Sequence, residues 1–446
     1  MHHMDKRTFL KLSSFMMAGS ALSPLVGLAQ ENKLTNWAGN LTYSTDSIWR
    51  VNTLEEARDL VKKHPKLKVL GTRHCFNNIA DSKDHFLSLA QLNKVLALDT
   101  AGHTVTVEAG VHYGELAVFL NDKGYALHNL ASLPHISVAG GCATATHGSG
   151  VHNGNLSSAV TGMELITASG ELVTLSKHSE QFPLAVIHLG GLGAVTKVTL
   201  SVQPSYQIRQ YVYENLPMAA LEKHFDEIMG AGYSVSLFTD WRNQNVNEVW
   251  IKSKTASFSG HPEFFGARAA TRNLHPIRDL GAENCTEQMG VPGPWHERLP
   301  HFRMGFTPSS GKELQSEFFV PREHSYAAIK AVEQLHEKIF PHLLITEIRC
   351  IDADQLWMSP CYHQPGTAIH FTWKPEWPAV RQLLPLIEQQ LAPFNARPHW
   401  GKLFTMSHEH LATLYPKMHN FQQLLRHYDP TGKFRNEYLD KIIFGV

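Results

Sequence analysis

The chain has 446 residues, of which 43% are hydrophobic and 18% charged. These fractions indicate a globular protein and argue against a disordered or membrane-spanning chain. Forty basic residues balance forty acidic ones, so the sequence lacks the basic footprint of a nucleic-acid-binding protein. The length favours two domains over one.

The cysteines and histidines raise the question of a metal site. The five cysteines, Cys75, Cys142, Cys285, Cys350 and Cys361, are widely spaced and form no CxxC pair, so neither a structural zinc site nor a disulfide framework is expected. The 28 histidines suggest a non-catalytic metal- or carbohydrate-binding protein as one hypothesis. They are scattered, however, and form no HExxH motif or short histidine tract.

The first 29 residues have the pattern of an export signal. The basic start "MDKRTFLKLSS" precedes the apolar "FMMAGSALSPLVGLA", which ends in small residues. "KRTFLK" resembles a twin-arginine signal with Lys6 in place of the first arginine, and the general secretory route stays open. We expect residues 1–29 to be a signal peptide and the protein to work in the periplasm or outside the cell.

Strand and helix patterns alternate from residue 30 to about residue 204. "TLEEARDLVKKHP" predicts an amphipathic helix that begins at a capping box of Thr53 and Glu56. "HTVTVEAG" alternates like a strand, and "YGELAVFLNDKGY" predicts a helix that ends at Gly124. "MELITASGELVTLS" predicts a hairpin with its turn at residues 169–170.

The patterns change after residue 204. "SVSLFTDW", "NEVWIKS", "LLITEIRCI" and "TAIHFTW" predict strands, "YAAIKAVEQLHEKI" predicts a helix, and residues 259–295 are rich in glycine and proline. This texture indicates a second domain built on a largely antiparallel sheet. We expect a first domain over residues 30–204, a second over 205–410, and a segment 411–446 that returns to the first.

Two segments of the first domain carry candidate ligand-binding residues. In "VLGTRHCFNNIADS" an apolar run enters a turn that places Arg73, His74 and Cys75 side by side, which a metal site, a catalytic dyad, a cofactor anchor or a surface turn would all explain. The second segment, residues 131–150, is "ASLPHISVAGGCATATHGSG". Its small residues let backbone N–H groups approach a large anionic ligand closely, and it is neither a GxGxxG motif nor a P-loop. A glycine-rich surface loop would have the same composition, but ordering so long an irregular run is costly without a partner.

Two strands of the second domain carry polar residues at a spacing of two. Glu347 and Arg349 in "LLITEIRCI" share one strand face, as do His370 and Thr372 in "TAIHFTW". A solvated cross-strand ion pair fits this pattern by itself.

Several motifs together resemble a known family. "GTRHCFNNIADS", "NLASLPHISVAGGCATATHGSG" and "GGLGAVTKVTL" resemble the flavin-binding domain of the vanillyl-alcohol-oxidase superfamily, and within it the alditol (xylitol, sorbitol) oxidases, which are related to the sugar-lactone oxidases. "NWAGNLTY", "RPHWGK" and "DPTGKFRNEYL" fit the same group. The resemblance implies an α+β fold. It consists of a PCMH-type FAD-binding domain of two α/β subdomains and a substrate-binding cap domain with a large antiparallel sheet flanked by helices.

The resemblance also implies FAD, joined covalently through its 8α-methyl carbon to His74. Cys75 is then a small packing residue, and Cys142 does not match the cysteine motif of relatives that carry a second covalent link. The other residues implied along the cofactor are Val69, Leu70, Gly71, Thr72, Arg73, Cys75, Ser132, Ser137, Gly140, Thr144, Ala145, Thr146, His147, Val195 and His399.

The substrate implied by the resemblance is a polyol, oxidised at its terminal CH₂OH to the aldose while O₂ is reduced to H₂O₂. The implied substrate-binding residues are Ser132, Glu347, Arg349, Thr372 and Lys402, and the implied catalytic residues are Glu347, Arg349, His370 and Lys402. Arg349 and Lys402 can stabilise a developing alkoxide, and either His370 or Lys402 can be the base. Ala131 is implied to lie beside the position where dioxygen reacts. A sugar-lactone oxidase or dehydrogenase is the alternative, although "HCFNNIADS" favours the alditol branch. No nucleic-acid partner and no membrane span are expected, and the sequence leaves the oligomeric state open, a monomer included.

Overall fold

A computed structural model describes residues 33–255, 257–306 and 312–446. The predicted signal peptide, residues 1–29, lies outside these ranges. No helix within them has both the length and the apolar character needed to cross a membrane.

The helices of the described ranges are mostly short, and three of them follow the last strand. Their bounds are α1 (Leu54–Lys63), α2 (Tyr113–Asp122), α3 (Val138–Ala143), α4 (Phe182–Ala185), α5 (Ala220–Met229), α6 (Ser325–Glu333), α7 (His336–Ile339), α8 (Trp377–Leu391), α9 (His408–Leu414), α10 (Met418–Tyr428) and α11 (Glu437–Leu439).

The strands before residue 205 form three small sheets. A parallel sheet has the order β1-β3-β2, from β1 (Ile48–Arg50), β2 (Lys68–Val69) and β3 (Phe86–Ser88). An antiparallel sheet has the order β4-β5-β9-β7-β8, from β4 (Val95–Asp99), β5 (Thr104–Glu108), β7 (Val160–Ile166), β8 (Leu172–Ser176) and β9 (Ala194–Ser201). Finally, β6 (Tyr125–Ala126) pairs with β10 (Gln203–Pro204).

The remaining strands form one large antiparallel sheet. They are β11 (Gln207–Pro217), β12 (Ser234–Thr239), β13 (Asn245–Lys254), β14 (Glu263–Phe264), β15 (Ala267–Ala269), β16 (Gly293–Pro294), β17 (Leu314–Pro321), β18 (Leu343–Ile351), β19 (Gly366–Trp373) and β20 (Arg397–Pro398). The order is β14-β15-β11-β13-β12-β18-β19-β17-β20, and β16 lies beside β11. The predicted antiparallel sheet after residue 204 is therefore confirmed.

Most local predictions agree with the structure, and their chemistry explains why. The Thr53 side chain accepts a hydrogen bond from the Glu56 amide at the start of α1, as its capping role requires. Gly170 adopts φ 85° in the predicted hairpin turn between β7 and β8. The single helix predicted for "YAAIKAVEQLHEKI" is wrong, because α6 ends and α7 begins within it. There His336 Nδ1 lies 2.9 Å from the Glu333 carbonyl, so a side chain hydrogen-bonds at the carboxyl end of α6.

The two faces of the large sheet differ in chemistry. Ile348, Ile369 and Phe371 are buried on one face and belong to one apolar cluster with Val380 and Leu384 of α8. Successive side chains of a strand point to opposite faces, so the residues between these apolar ones face the other way. That second face is polar, and it forms one wall of a cavity.

Candidate active site

A cavity of about 580 Å³ lies between the polar face of the large sheet and the segments around residues 69–75 and 131–147. Most of the residues singled out from the sequence line it. They are Val69, Gly71, Thr72, Arg73, His74, Cys75, Ser132, Gly140, Thr144, Thr146, His147, Glu347, Arg349, His370, Thr372, His399 and Lys402. Segments more than 300 residues apart in the chain therefore share one site.

Four of the candidate cofactor-binding residues do not line this cavity. Leu70 and Ala145 are buried in apolar clusters. Val195 borders a separate small cavity. Ser137 is buried: its Oγ has no hydrogen-bond partner among the described residues, and a Cβ added at Gly140 would lie 2.7 Å from it. Ser137 Oγ is therefore close to the backbone of the glycine-rich segment but is not exposed to the cavity.

The turn that carries His74 has strained backbone. Arg73 has φ 61°, a left-handed conformation that a non-glycine residue adopts only where its surroundings hold it. The Arg73 carbonyl accepts a hydrogen bond from the Trp37 amide at 2.8 Å, and its guanidinium donates to the Thr35 carbonyl at 2.8 Å. Leu189, also at the cavity wall, has φ 54°. Strained loops of this kind cluster at ligand-binding sites.

The His74 ring is neutral and closely packed. Its centroid lies 4.4 Å from that of Trp37 and 5.2 Å from that of His135. Burial, together with His135 and Lys402, lowers the pKa of His74 to about 3. Its buried Nδ1 has no hydrogen-bond partner in the described part of the chain. The ring thus presents a nitrogen without a protein partner at a cavity wall.

Lys68 was missed from the sequence, although it precedes the His74 turn. Its ammonium is buried and donates to the carbonyls of Gly190 at 3.0 Å and Phe434 at 3.2 Å. No carboxylate of the described residues lies within ion-pair distance, and burial lowers the pKa of Lys68 to about 7. A buried ammonium without an anionic partner suits a negatively charged ligand in the cavity.

Across the sheet, cross-strand register places four side chains in one row of the polar face. Phe238 of β12 lies opposite Glu347 of β18, Glu347 opposite His370 of β19, and His370 opposite Glu317 of β17. Glu317 was missed from the sequence. The alternation of acidic and amide residues in "ELQSEFF" at positions 313, 315 and 317 was a usable signal for it.

Glu317 is the most enclosed ionic group of the site. Its side chain has 0% exposure, and its oxygens lie 2.6 Å from Lys402 Nζ, 3.1 Å from Arg349 Nη2 and 3.1 Å from His147 Nε2. Burial alone would raise the pKa of Glu317, but Lys402, followed by His147 and His370, brings it well below its usual range. Glu317 is therefore an ionised carboxylate shared between two cations.

Lys402 connects Glu317 to His370. Lys402 Nζ lies 2.7 Å from His370 Nδ1, and His370 Nε2 lies 3.0 Å from Thr372 Oγ1. Because an ammonium only donates, His370 Nδ1 accepts, and the ring proton resides on Nε2 and is donated to Thr372. Burial and Lys402 lower the pKa of His370 to about 4, and burial lowers that of Lys402.

Glu347 and Arg349 form the second charged pair. Arg349 Nε lies 3.5 Å from Glu347 Oε1, and Arg349 Nη1 lies 3.4 Å from Ser132 Oγ. His301, which the sequence analysis missed, approaches the same Glu347 oxygen through Nε2 at 2.7 Å. Against the cost of burial, Arg349 and His301 hold the pKa of Glu347 below its usual range. Two carboxylates, Glu317 and Glu347, thus balance two cations, Arg349 and Lys402.

Three residues of the site have the spacing of metal ligands. One ligand atom from each of His147, Glu317 and His399 lies within 4.8 Å of the others. Glu317 already bonds to Lys402 and Arg349, so a metal ion would have to compete with two cations for one carboxylate. The arrangement is better described as a buried ion-pair network.

The chain matches two protein-family profiles. The profile of an FAD binding domain matches residues 48–176, and that of D-arabinono-1,4-lactone oxidase matches residues 308–442. Over 415 residues the chain is 45% identical to an alditol oxidase from Streptomyces sp. (strain IKD472 / FERM P-14339), covering 92% of this chain and 99% of that protein. The chain belongs to the alditol oxidase family. The flavin-binding domain expected from the sequence is confirmed.

Relatives of lower identity to this chain include lactone oxidases. L-Gulonolactone oxidase from Mus musculus is 24% identical over 435 residues, covering 92% of this chain and 98% of that protein. The crystal structure of cholesterol oxidase from B. sterolicum superimposes with a TM-score of 0.74 at 16% identity, over 92% of this chain and 96% of that chain. That likeness shows a shared fold, and the predicted α+β architecture of a PCMH-type flavoprotein is confirmed.

The charge balance of the site predicts the response to loss of Glu317. In Glu317→Gln, two buried cations lose their shared counter-charge, and we expect the free energy of unfolding at neutral pH to fall by about 3–5 kcal/mol. Because the folded-state pKa of Glu317 is lowered, its contribution is present above the unfolded-state pKa and is lost as the pH falls below about 5. Part of the acid-induced loss of stability should therefore disappear in the variant.

Denaturant unfolding at several pH values measures this difference. Glu437→Gln is the control, because Glu437 pairs with Lys83 at the exposed surface. We expect no change in its unfolding midpoint. Equal stability of Glu317→Gln and the unmodified chain at neutral pH would contradict the ion-pair account.

Proposed function

We propose that the protein is an FAD-dependent alditol oxidase with covalently attached flavin. It oxidises the terminal CH₂OH of a polyol such as xylitol or sorbitol to the aldose and transfers the electrons to O₂, giving H₂O₂. One observation carries the proposal: a buried, charge-balanced polar cluster faces His74 across a single cavity, in a chain 45% identical to an alditol oxidase.

The residues of the cavity fit FAD. Lys68 offers a buried positive charge for the pyrophosphate, and Gly71 and Gly140 place backbone at the wall without a side chain. His74 would carry the covalent bond, since its ring is neutral and its Nδ1 is not engaged by a described residue. A bound flavin supplies the acceptor for the hydrogen and two electrons that leave the substrate carbon.

The polyol would be held by the Glu347–Arg349 pair, by Lys402 and by the neighbouring hydroxyls of Ser132 and Thr372. Glu347 accepts hydrogen bonds from hydroxyl groups, whereas Arg349 donates them, and Ser132 and Thr372 can do either. A binding site that pairs several hydroxyls discriminates strongly against substrates that lack them, because its buried polar groups would be left unpaired. Such a set suits an extended polyol.

Removal of the hydroxyl proton is assigned to Lys402 in its amine form, beside His370. The two nitrogens are 2.7 Å apart, and burial lowers the pKa of Lys402, so Lys402 can release its proton and then take one up from a hydroxyl at the cavity wall. Arg349 stays charged and stabilises the developing alkoxide. Glu317 keeps Lys402 and Arg349 in place during this transfer.

Dioxygen is proposed as the electron acceptor because the alditol oxidase relative is an oxidase by name. Ala131 lies at the cavity wall beside Ser132 and is small enough to leave space there. The match to D-arabinono-1,4-lactone oxidase over residues 308–442 supports a second candidate function, oxidation of a sugar lactone.

The covalent link predicts a clear phenotype for His74→Ala. We expect this variant to lose the yellow fluorescence that remains with the protein on a denaturing gel, because no other residue is proposed to bond the flavin. Dissociable FAD should still bind through the rest of the cavity. His178→Ala, at an exposed position, is the control and should retain the fluorescent band. An unmodified protein that releases all its flavin on denaturation would refute the link.

Substrate preference separates the two candidate reactions. We expect kcat/KM for xylitol or sorbitol to exceed that for an aldonolactone by at least about 100-fold, because an unmatched buried polar group costs several kcal/mol in the transition state. Steady-state rates of H₂O₂ formation measure this, and an artificial acceptor in place of O₂ tests the oxidase assignment. Turnover of lactones alone would exclude the alditol reaction.

Export is proposed from the composition of residues 1–29. Expression of the full chain in a bacterium should yield a mature form outside the cytoplasm whose N-terminus lies near Gln30. The mass of the purified protein and its N-terminal sequence measure this. An uncleaved cytoplasmic chain would contradict export.

A further inference from the structure

A second buried lysine lies on the large sheet but outside the cavity lining. Lys252 of β13 is 1% exposed. Its Nζ lies 2.5 Å from the Leu299 carbonyl, 3.1 Å from the Pro300 carbonyl and 3.1 Å from His301 Nδ1. No carboxylate in the described ranges pairs with it. Burial lowers the pKa of Lys252 to about 7, and no ion pair among the described residues explains the presence of this lysine.

The contacts of His301 determine its proton position. Glu347 is an ionised carboxylate that only accepts, so the single proton of the neutral ring resides on Nε2, which lies 2.7 Å from Glu347 Oε1. His301 Nδ1 then accepts from Lys252 Nζ, which also donates to the two carbonyls. The ring packs edge-on against Phe238 and Trp250, with centroids 5.5 and 5.3 Å apart. Hydrogen bonds therefore run in one direction, from Lys252 through His301 to Glu347.

The hydrogen-bond series from Lys252 through His301 competes with Arg349 for one oxygen of Glu347. Arg349 Nε lies 3.5 Å from Oε1, beyond a good hydrogen bond, and is a buried donor without a partner among the described residues. The described hydrogen bond and ion pairs of Glu347 all use Oε1. His301 thus holds Oε1 away from full pairing with Arg349 and leaves Oε2 available to a ligand.

We propose that Lys252 and His301 are positioning residues that hold Glu347 in its polyol-binding orientation. The inference rests on the proposed function in one respect, that Glu347 contacts the polyol. Without the hydrogen bonds from Lys252 through His301, Glu347 would rotate onto Arg349. The two groups would then hydrogen-bond to each other instead of to the substrate. Lys252 lies outside the cavity lining and acts through His301, which lines the cavity beside Glu347.

If Lys252 only stabilised the fold, its loss would have a different effect. Lys252 also ties the segment 299–301 to β13, and loss of that contact alone would lower stability without changing substrate affinity. Thr286 supplies the matched control, because its Oγ1 donates to the Pro300 carbonyl at 2.8 Å and to the His301 carbonyl at 3.3 Å. It holds the backbone of the same segment, and no described hydrogen bond joins its side chain to Lys252 Nζ or to the His301 ring. Thr286→Val should lower the thermal midpoint and leave KM unchanged.

The test uses the flavin-loaded full chain with xylitol as substrate. In Lys252→Met we expect KM to rise by about 10-fold, the effect of one hydrogen bond to a charged group, while kcat stays within about twofold. Lys252→Met combined with Glu347→Gln should bind xylitol no more weakly than Glu347→Gln alone, because both changes act through one carboxylate. An unchanged KM, a similar rise in Thr286→Val, or additive effects in the double variant would overturn the inference.

His301 provides the second test if Lys252→Met does not fold. His301→Gln retains an N–H donor for Glu347 and should keep KM near that of the unmodified enzyme, whereas His301→Leu should raise it about 10-fold. Equal KM values in these two variants would also overturn the inference. Failure of the proposed function would look different, because Glu347→Gln itself would then leave the KM for xylitol unchanged, or the unmodified enzyme would not oxidise xylitol.

Discussion

On the polar face of the large sheet, one strand from its edge, the carboxylate of Glu317 lies out of contact with water between Lys402 and Arg349. Two cations this close would repel each other and would be costly to bury without a shared counter-charge. The rest of the polar face depends on this carboxylate. Lys402 reaches His370, and Arg349 reaches Ser132 and Glu347, from positions that Glu317 maintains.

The balance of charges in this cluster affects the chemistry that the site can perform. A site with two positive and two negative charges can be buried in an apolar sheet, where each interaction is stronger than it would be in water. Its dipoles are oriented before a substrate arrives, so little reorganisation accompanies charge development on a hydroxyl oxygen. The charged pairs therefore stabilise the fold and prepare the site together, whereas the apolar face of the same strands packs against α8.

The predictable part of the site followed from short-range periodicity and from resemblance. Period-two spacing correctly placed Glu347 with Arg349 and His370 with Thr372 on single strand faces. Glu317 was missed although "ELQSEFF" alternates in the same way, because the alternation does not reveal which strand lies beside β19. His301 comes from an irregular segment without periodicity, and nothing near Lys252 in the sequence indicates that its ammonium reaches a loop almost fifty residues later.

The sequence by itself determined the local structure: where α1 is capped, where β7 turns into β8, and which face of each strand is polar. It also identified, by resemblance, a flavin-binding fold, and it predicted His74 as the residue that anchors the cofactor. Only the tertiary structure decided which polar residues meet. The order of strands brings β17 beside β19, and the register then sets Glu317 opposite His370. Such pairings depend on contacts between residues distant in the chain, and local conformational preferences do not encode them.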